Sequence, residues 1–231
     1  MSSRFGKEIC VLLPVYNESK VLKDTIEGLK QYFDSIIAVN DCSSDDSENI
    51  LTSLDVLCIN HPINLGQGAA IDTGFKFIKK KEEAKAVITF DADGQHRPID
   101  AYNLAREIIT CDEEIIFGSR FLTSETKIPF FKERILRLAI FMTKRFLDLQ
   151  ITDTHNGLKA YKIDAIKKIR IDNYRYAFES EILFEVAKKN ISYKEFPVQI
   201  SYTPYSKSKG QSIFNALVIF EDIIFMIFNR K

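Results

Sequence analysis

The chain has 231 residues, which is the size of one large domain. Hydrophobic residues make up 45% of the sequence and aromatic residues 12%, so the composition supports a sizeable core and excludes an intrinsically disordered chain. The 32 Lys and Arg residues equal the 32 Asp and Glu residues in number, so the formal net charge is zero. Proteins that bind nucleic acid through nonspecific phosphate contacts are usually strongly basic, and we therefore expect no nucleic-acid partner.

Two further observations indicate the cellular compartment. The four cysteines have no paired spacing, which is typical of reduced thiols in a cytosolic protein. The sequence shows neither the apolar segment of a secretory signal nor a stretch of about 20 uncharged apolar residues. We therefore expect a cytoplasmic protein without a membrane-spanning helix.

The first half of the chain alternates short apolar runs with longer amphipathic ones. The apolar runs are rich in Val and Ile, which is typical of strands buried on both faces of a parallel sheet. This alternation predicts βαβ units and an α/β fold. The predicted strands are 9–14, 35–40, 56–60, 86–90 and 114–118, and the predicted helices are 20–33, 45–54, 67–81 and 99–109.

The second half is less regular. Residues 127–147 combine six Lys and Arg residues with a dense apolar set, which predicts a basic amphipathic helix. Such a helix can lie on an anionic membrane surface; the alternatives are a helix packed on the sheet or a homodimer contact. Residues 191–202 indicate a strand in which Pro197 marks an edge or a bulge. Residues 213–228 are apolar but too short and too charged to span a bilayer.

Polar residues follow each predicted strand at the point where it ends. In open α/β sheets, ligands bind outside the carboxyl ends of the strands. We therefore expect acids, amides and glycines from separate parts of the chain to gather along one edge of the sheet. The segments, in chain order, are 14–18, 40–45, 64–68, 91–96 and 118–120.

Two carboxylates separated by one residue, Asp91 and Asp93, follow the fourth predicted strand. Such a pair can hold Mg²⁺ or Mn²⁺ together with the phosphates of a substrate. The cation neutralises the repulsion between the acids and stabilises charge on a departing phosphate. The alternative is that both are ordinary turn residues before the next helix.

The remaining glycines and histidines give weaker signals. Gly66 and Gly68 stand between a strand and a helix, where they permit either a nucleotide contact or simply a tight turn. The dinucleotide-binding fingerprint is not met, because Ile71 occupies its third glycine position. His155 lies in a predicted loop and His61 precedes a proline, which indicates a turn. No zinc site is expected, since the histidines have no His or Cys partner at ligand spacing.

Together and in this order, the motifs resemble the family 2 glycosyltransferases of the GT-A fold, and within them the polyprenyl-phosphate (dolichyl-phosphate) mannose and glucose synthases. The resemblance implies a Rossmann-like, mostly parallel sheet flanked by helices, with a C-terminal acceptor-side extension. It implies one catalytic domain with a nucleotide-sugar-binding half, 1–125, and an acceptor-side half, 126–231. The matching stretches are VLLPVYNE (11–18), IIAVNDCSSDDS (36–47), NLGQGAAIDTGF (64–75), FDADGQH (90–96), FGSRF (117–121), DTHNGLKAY (153–161), FESEIL (178–183) and YSKSKGQS (205–212).

The resemblance also implies ligands and residue roles. The donor is a UDP- or GDP-linked sugar, bound with Mg²⁺ or Mn²⁺, and transfer inverts the anomeric carbon by single displacement. The implied donor-binding residues are Pro14, Tyr16 and Glu18 around the nucleobase and ribose, Asp41 at the base, Gly66 and Gly68 near the nucleotide, Asp91 at the ribose or metal, and Gln95 and Lys209 near the diphosphate. The implied catalytic residues are Asp93 as metal ligand, Arg120 facing the phosphates or the acceptor, and Glu179 or Glu181 as general base.

The sequence departs from the family pattern at two motifs. Asn40 and Cys42 stand where the common VDDGS pattern has Asp and Gly. The acceptor-side acidic motif appears as Phe-Glu-Ser-Glu, so the identity of any general base stays open between Glu179 and Glu181.

Three interpretations of the activity follow. In the first, the acceptor is a polyprenyl phosphate, whose oxygen is already anionic and needs no strong base, and the enzyme lies at the inner face of the membrane. In the second, the acceptor is a hydroxyl of a growing surface glycan, and a carboxylate must take its proton. In the third, the chain is a noncatalytic nucleotide-sugar-binding protein, which the retention of Asp91, Asp93, Gln95 and Arg120 argues against. A nucleotidyltransferase shares the α/β design and the metal-binding carboxylates, but it would release pyrophosphate instead of a nucleoside diphosphate.

Overall fold

Within the described residues, seven strands form one mixed sheet with helices on both faces. The computed structural model describes residues 4–123, 130–172, 178–202 and 205. The strands are β1 (Phe5–Val15), β2 (Phe33–Asn40), β3 (Leu57–Asn60), β4 (Ala86–Thr89), β5 (Ile115–Ser119), β6 (Lys159–Lys162) and β7 (Tyr193–Pro197). The helices are α1 (Ser19–Lys30), α2 (Ser47–Ser53), α3 (Gln67–Ile78), α4 (Pro98–Thr110), α5 (Phe130–Leu147), α6 (Ile163–Lys168) and α7 (Phe178–Lys188).

The strands follow the order β3-β2-β1-β4-β6-β5-β7. β1 pairs in parallel with β2 and β4, β2 with β3, and β5 with β7, whereas β6 runs antiparallel to both β4 and β5. The predicted α/β fold with a mostly parallel sheet is therefore confirmed. β6 was missed, because its four residues, Lys-Ala-Tyr-Lys, form no apolar run. Since β6 lies between two strands of the first half, both halves of the chain share one sheet.

The start of β1 is the clearest boundary difference. The apolar run begins at residue 9, but the strand begins at Phe5, which pairs with Phe33 of β2 across a register shift that separates this pair from the ladder beginning at Cys10. The two rings stack with their centroids 5.8 Å apart. Polar residues between Phe5 and residue 9 hide this part of the strand from a pattern search. β7 is an edge strand of the sheet and ends at Pro197, as the proline predicts. Residues 213–228 lie outside the described residues.

β1 is an interior strand, between β2 and β4, and its alternate residues enter two separate cores. Ile9, Val11 and Leu13 pack with residues of α1, α2 and α4, whereas Cys10 and Leu12 pack with residues of α3, α6 and α7. All five are fully buried, and full burial of each aliphatic side chain contributes about 2 kcal/mol. The strand is thus fixed on both faces, and it holds the loop at its carboxyl end in place.

The described part of the predicted 127–147 helix is α5, which is amphipathic as expected. It buries Leu136, Ala139 and Thr143 on one face and exposes Phe130 and Phe141 on the other. α5 contacts α7 of the second core. Among the helices of the described ranges, none has both the length and the apolar character that crossing a bilayer demands.

Gly74 sets the distance between α3 and β1. A Cβ atom at this position would lie 2.2 Å from Cδ1 of Leu12, whose side chain is fully buried and has no room to withdraw. We predict that Gly74→Ala lowers the free energy of unfolding by about 1–3 kcal/mol, as overpacked cores do. Urea denaturation measures the change.

The partner variant Leu12→Val removes volume where the new methyl group would stand. We expect the double variant to be more stable than the sum of the two single changes predicts, because the two sites share one space. Additive losses of stability would contradict this account of the helix–strand contact.

Candidate active site

A cavity of about 560 Å³ opens at the carboxyl ends of β1, β2 and β4. This volume is within the range of small-molecule binding sites. The loops that follow four strands form its walls, as the strand-end rule predicts. It is lined by Pro14, Val15, Tyr16, Glu18, Asp41, Asn64, Gly66, Gln67, Ala70, Asp91, Ala92 and Asp93, seven of which were predicted as donor or metal residues.

The loops after β1 and β2 are tied together by reciprocal hydrogen bonds. The Ser44 N–H donates to Asn17 Oδ1 at 2.7 Å, and the Asn17 N–H donates to Ser43 Oγ at 3.0 Å. Asn17 and Cys42 both have left-handed backbone, with φ of 56° and 60°. Glycine adopts left-handed backbone at little cost, and glycine stands at the position of Cys42 in the family pattern that the sequence resembles. The sequence also departs from the family pattern at Asn40, where the pattern has aspartate. Asn40 Nδ2 donates to Asn60 Oδ1 at 2.9 Å, a hydrogen bond that an ionised aspartate cannot donate.

Asp45 links the loop after β2 to the first turns of two helices. Its carboxylate accepts hydrogen bonds from the backbone N–H of Ser19 at 2.9 Å and of Ser47 at 3.0 Å, at the start of α1 and α2. Partial burial raises the pKa of Asp45, but hydrogen bonds from Ser47 and Ser19 outweigh it and lower the pKa to about 2. Since the folded-state pKa lies below the ordinary 3.8, the stabilisation is present above that pH and is lost as the pH falls towards 2.

Asp41, predicted to contact the nucleobase, is held from three sides. Its carboxylate is 3% exposed and accepts from His61 Nδ1 at 2.7 Å, from the Leu65 N–H at 2.9 Å and from the Gly66 N–H at 2.7 Å. Gly66 has a φ of 101°, a conformation that glycine adopts at little cost. His61 is therefore more than a turn marker, because its ring lies buried against the acid. A base contact by Asp41 stays a prediction.

Asp91 is fixed by contacts from separate parts of the chain. Oδ1 accepts from Gln67 Nε2 at 2.9 Å, and Oδ2 lies 3.3 Å from His96 Nε2. Gly157 packs against the carboxylate so closely that a Cβ atom there would lie 2.0 Å from Oδ2. Burial raises the pKa of Asp91, but His96, Lys159 and Gln67 outweigh it, so the net shift is downward. Asp91 is therefore an ionised carboxylate in a fixed orientation.

Asp93 has the opposite electrostatic setting. Burial raises its pKa, and the negative charge of Asp91 raises it further. Gln95, predicted to lie beside the diphosphate, donates to the Asp93 carboxylate through its backbone N–H at 3.0 Å and its Nε2 at 2.6 Å. Gln95 thus orients Asp93, and a diphosphate contact stays a prediction.

The two acids fit a divalent cation through the chemistry of their donor atoms. Both line the cavity, and the negative charge of Asp91 raises the pKa of Asp93, so a bound cation would relieve the repulsion between them. No group of three His, Cys, Asp or Glu side chains at metal-binding distance occurs in the part of the chain that the structure describes. Mg²⁺ does not require one, since it is usually held by one or two carboxylates together with substrate phosphates and water.

Glu179 and Glu181, the two candidate bases, are in different surroundings. Residues two apart on a helix project in nearly opposite directions. Glu179 forms a buried ion pair with Lys159. These two residues and Asp91 are among those that line a second, small cavity of about 10 Å³. Burial raises the pKa of Glu179 more than Lys159 lowers it. Glu181 accepts a hydrogen bond from the Asp172 N–H at 2.9 Å.

Arg120 lies in the interior, 4% exposed, and does not line the large cavity. Its Nε donates to Asp153 Oδ2 at 2.6 Å, its Nη1 donates to Tyr202 Oη at 3.1 Å, and its Nη2 donates to the His155 carbonyl. Burial disfavours the charge, but Asp153 and Tyr202 outweigh it and raise the pKa of Arg120. These contacts tie the loop before β6 to the end of β5. Contact with phosphates or acceptor stays a prediction.

Two other predicted residues are placed differently. Gly68 is buried in the first turn of α3 and does not line the cavity. Lys209 lies outside the described residues. Conversely, no sequence motif predicted a role in the site for four residues that the structure places there: His61, Gln67, Lys159 and Gly157. Gln67 could have been found, because it immediately follows Gly66 at the start of a predicted helix whose N-terminus faces the site.

The matching family agrees with this geometry. Residues 10–170 match the family described as Glycosyl transferase family 2, and the chain belongs to this family. The resemblance inferred from the sequence motifs is confirmed.

Two archaeal relatives and one solved structure support the assignment. An uncharacterised protein of Methanocaldococcus jannaschii is 33% identical over 227 residues, covering 96% of this chain and 93% of the relative. The UDP-N-acetylglucosamine–dolichyl-phosphate N-acetylglucosaminyltransferase of Methanococcus voltae is 30% identical over 244 residues, covering 95% and 96%. A glucosyl-3-phosphoglycerate synthase from Mycobacterium tuberculosis, solved with Mn²⁺, UDP and phosphoglyceric acid, superposes with a TM-score of 0.74 at 13% identity, covering 96% of this chain and 78% of that chain. The GT-A fold is thereby confirmed.

We predict that Gly157→Ala inactivates the site without unfolding the protein. The new methyl group would overlap the Asp91 carboxylate and displace it from Gln67 and His96. Misplacement of about 1 Å in such a site costs roughly 100-fold in rate. Steady-state kinetics measures the loss, and the melting temperature reports on the fold.

Gly6→Ala is the matched control. Its Cβ atom would meet only the side chain of Glu8, with Oε2 at 2.9 Å, near the start of β1 and at the opposite end of that strand from the cavity. Equal activity of the two glycine variants would contradict the role given to Gly157.

Proposed function

We propose that the chain transfers a sugar, with inversion, from a UDP-sugar to a polyprenyl phosphate. The observation that carries this choice is the state of the two candidate bases. Glu179 is buried in an ion pair with Lys159, and Glu181 accepts from the backbone at Asp172. A hydroxyl acceptor requires a carboxylate free to take its proton, whereas a phosphate oxygen is already anionic. The name of the Methanococcus voltae relative supports both the donor and the acceptor class.

The residues of this chain bind and orient the reactants. The wall formed by Pro14, Tyr16 and Asp41 receives the nucleoside, and Asp91 and Asp93 hold the Mg²⁺ or Mn²⁺ that accompanies the diphosphate. When bound, the cation neutralises the negative charge that develops on the leaving nucleoside diphosphate. Gln67, His96 and Gln95 keep the two carboxylates in place before the reaction begins, so little reorganisation is needed. Positioning and electrostatics supply the rate enhancement.

The test is a transfer assay with UDP-N-acetylglucosamine, Mn²⁺ and a polyprenyl phosphate. We expect glycolipid and UDP as products, and no transfer to the corresponding polyprenol, which lacks the phosphate. We predict that Asp93→Asn lowers kcat by roughly 100-fold or more, while the melting temperature stays near that of the wild type. Asp24→Asn, at an exposed acid on α1, is the matched control.

Three outcomes would contradict the proposal. Transfer to the polyprenol would favour the hydroxyl-acceptor interpretation. Full turnover by Asp93→Asn would remove the metal role of that residue. Donor binding without any turnover across a panel of UDP- and GDP-sugars would favour a noncatalytic binding protein.

We propose further that α5 rests on the cytoplasmic face of the membrane that carries the acceptor. Its exposed face combines Phe130, Leu138 and Phe141, which are 63%, 49% and 61% exposed, with the exposed cations Arg134 and Arg137. The guanidinium of Arg134 lies 4.9 Å from the centre of the Phe130 ring, so charge and apolar surface share one face. Apolar side chains bordered by cations are typical of helices that lie in the headgroup region of anionic bilayers.

Cosedimentation with vesicles of phosphatidylcholine and phosphatidylglycerol tests this contact. We predict that Leu138→Ser with Phe141→Ser lowers binding at least several-fold, because about 0.8 kcal/mol is lost per CH₂ withdrawn from the acyl region. The stability of the protein should not change, because both side chains are already exposed. Leu57→Ser with Ile109→Ser, at exposed apolar positions outside α5, is the matched control. Equal binding by both double variants would contradict a membrane role for α5.

A further inference from the structure

The buried pair of Asp41 and His61 follows directly from the pairing of β2 with β3. The two strands run parallel with Asn40 opposite Asn60, and the His61 N–H continues the ladder by donating to the Asn40 carbonyl at 2.9 Å. The next residues along the two strands, Asp41 and His61, are therefore neighbours. Their side chains are 3% and 7% exposed, and His61 Nδ1 lies 2.7 Å from Asp41 Oδ1.

The hydrogen-bonding capacity of the two groups fixes the direction of the contact. An ionised carboxylate only accepts, so Nδ1 of His61 carries the proton that it donates to Asp41. Nε2 of the same ring lies 2.9 Å from Oγ1 of Thr73 on α3. The imidazole is thus held at both ring nitrogens, by an acid on one side and a hydroxyl on the other.

Within the described ranges, three donors contact the Asp41 carboxylate, which leaves one acceptor position for a ligand. A carboxylate has about four lone-pair positions. Oδ1 accepts from His61 and from the Leu65 N–H, whereas Oδ2 accepts from the Gly66 N–H. Asp41 also lines the large cavity, on the side formed by the loops after β1 and β2. No further donor to Oδ2 occurs among the described residues, so Oδ2 can accept one N–H group of a molecule in the cavity.

We infer that His61 is a positioning residue for nucleobase recognition: held by Thr73, it fixes the Asp41 carboxylate so that Oδ2 accepts the ring N–H of a uracil. This inference rests on the proposed function, because it assigns the nucleoside end of the donor to this part of the cavity. Uracil presents a ring N–H that its N3-methylated form lacks. The base lies remote from the reacting carbon, so His61 acts on donor affinity and leaves the chemical step unchanged.

The experiment measures binding of UDP and of N3-methyl-UDP by calorimetry in the presence of Mn²⁺. We expect the wild type to bind UDP at least ten-fold more tightly than the methylated nucleotide, because the buried acceptor is otherwise left unpaired. In His61→Leu the two affinities should converge, through weaker binding of UDP. In transfer assays, the KM for the UDP-sugar should rise about ten-fold while kcat changes less than two-fold.

Two further variants separate orientation from simple destabilisation. His61→Asn places an amide N–H near the position of Nδ1 and should restore part of the preference for UDP. Thr73→Val removes the hydroxyl at the other ring nitrogen and should reduce the preference without abolishing it. These variants keep the inference testable if His61→Leu fails to fold.

The outcomes distinguish this inference from the proposed function. A preference for UDP that persists unchanged in the His61 variants would overturn the role of His61, as would equal weakening of both nucleotides, which indicates only a structural defect. A wild type that binds both nucleotides equally would overturn the Asp41 contact and leave the transferase proposal standing. A wild type that binds no uridine nucleotide would overturn the UDP-sugar proposal itself, and this inference with it.

Discussion

The site depends on the proximity of two half-buried carboxylates. Asp91 and Asp93 stand one residue apart after β4, and the negative charge of Asp91 raises the pKa of Asp93. In water the two side chains would turn away from each other. Here both carboxylates line one cavity and are held by contacts with Gln67, His96 and Gln95. We propose that a cation and the oxygens of a diphosphate offset the free-energy cost of this arrangement when they enter. On this proposal, the charge distribution of the site is complementary to a nucleoside diphosphate with its metal.

The rest of the structure maintains this arrangement from a distance. β1 is fixed by cores on both faces and sets the position of the loops on either side of it. Lys159, which forms a buried ion pair with Glu179, lowers the pKa of Asp91 through its positive charge. Because β6 carries Lys159 and is inserted between β4 and β5, the second half of the chain supplies part of the electrostatic environment of the first. We propose that the two halves, 1–125 and 126–231, divide the binding of donor and acceptor while sharing this sheet.

Sequence reasoning predicted the features that depend on local pattern. The parallel strands were visible as apolar runs, and the strand-end rule correctly gathered Pro14, Asp41, Asp91 and Asp93 at one edge. It missed the partners that act over long separations. Gly157 contacts Asp91 across 66 positions of the chain, and His61 reaches Asp41 only because β2 and β3 pair in one particular register. The register in which two strands pair leaves no periodic pattern in the sequence. The two glutamates of α7 are a different case, since helical spacing alone indicates that residues two apart cannot face one site together.

The central claim is that Asp91 and Asp93 bind a divalent cation jointly with the diphosphate of the donor. Calorimetric titration of Mn²⁺ into the protein, with and without saturating UDP, measures it most directly. The account predicts that UDP tightens Mn²⁺ binding and that Mn²⁺ tightens UDP binding by the same factor, as linkage requires. It also predicts that this coupling disappears when both acids are changed to asparagine. Equal Mn²⁺ affinity with and without UDP, or full coupling in the asparagine variant, would contradict it.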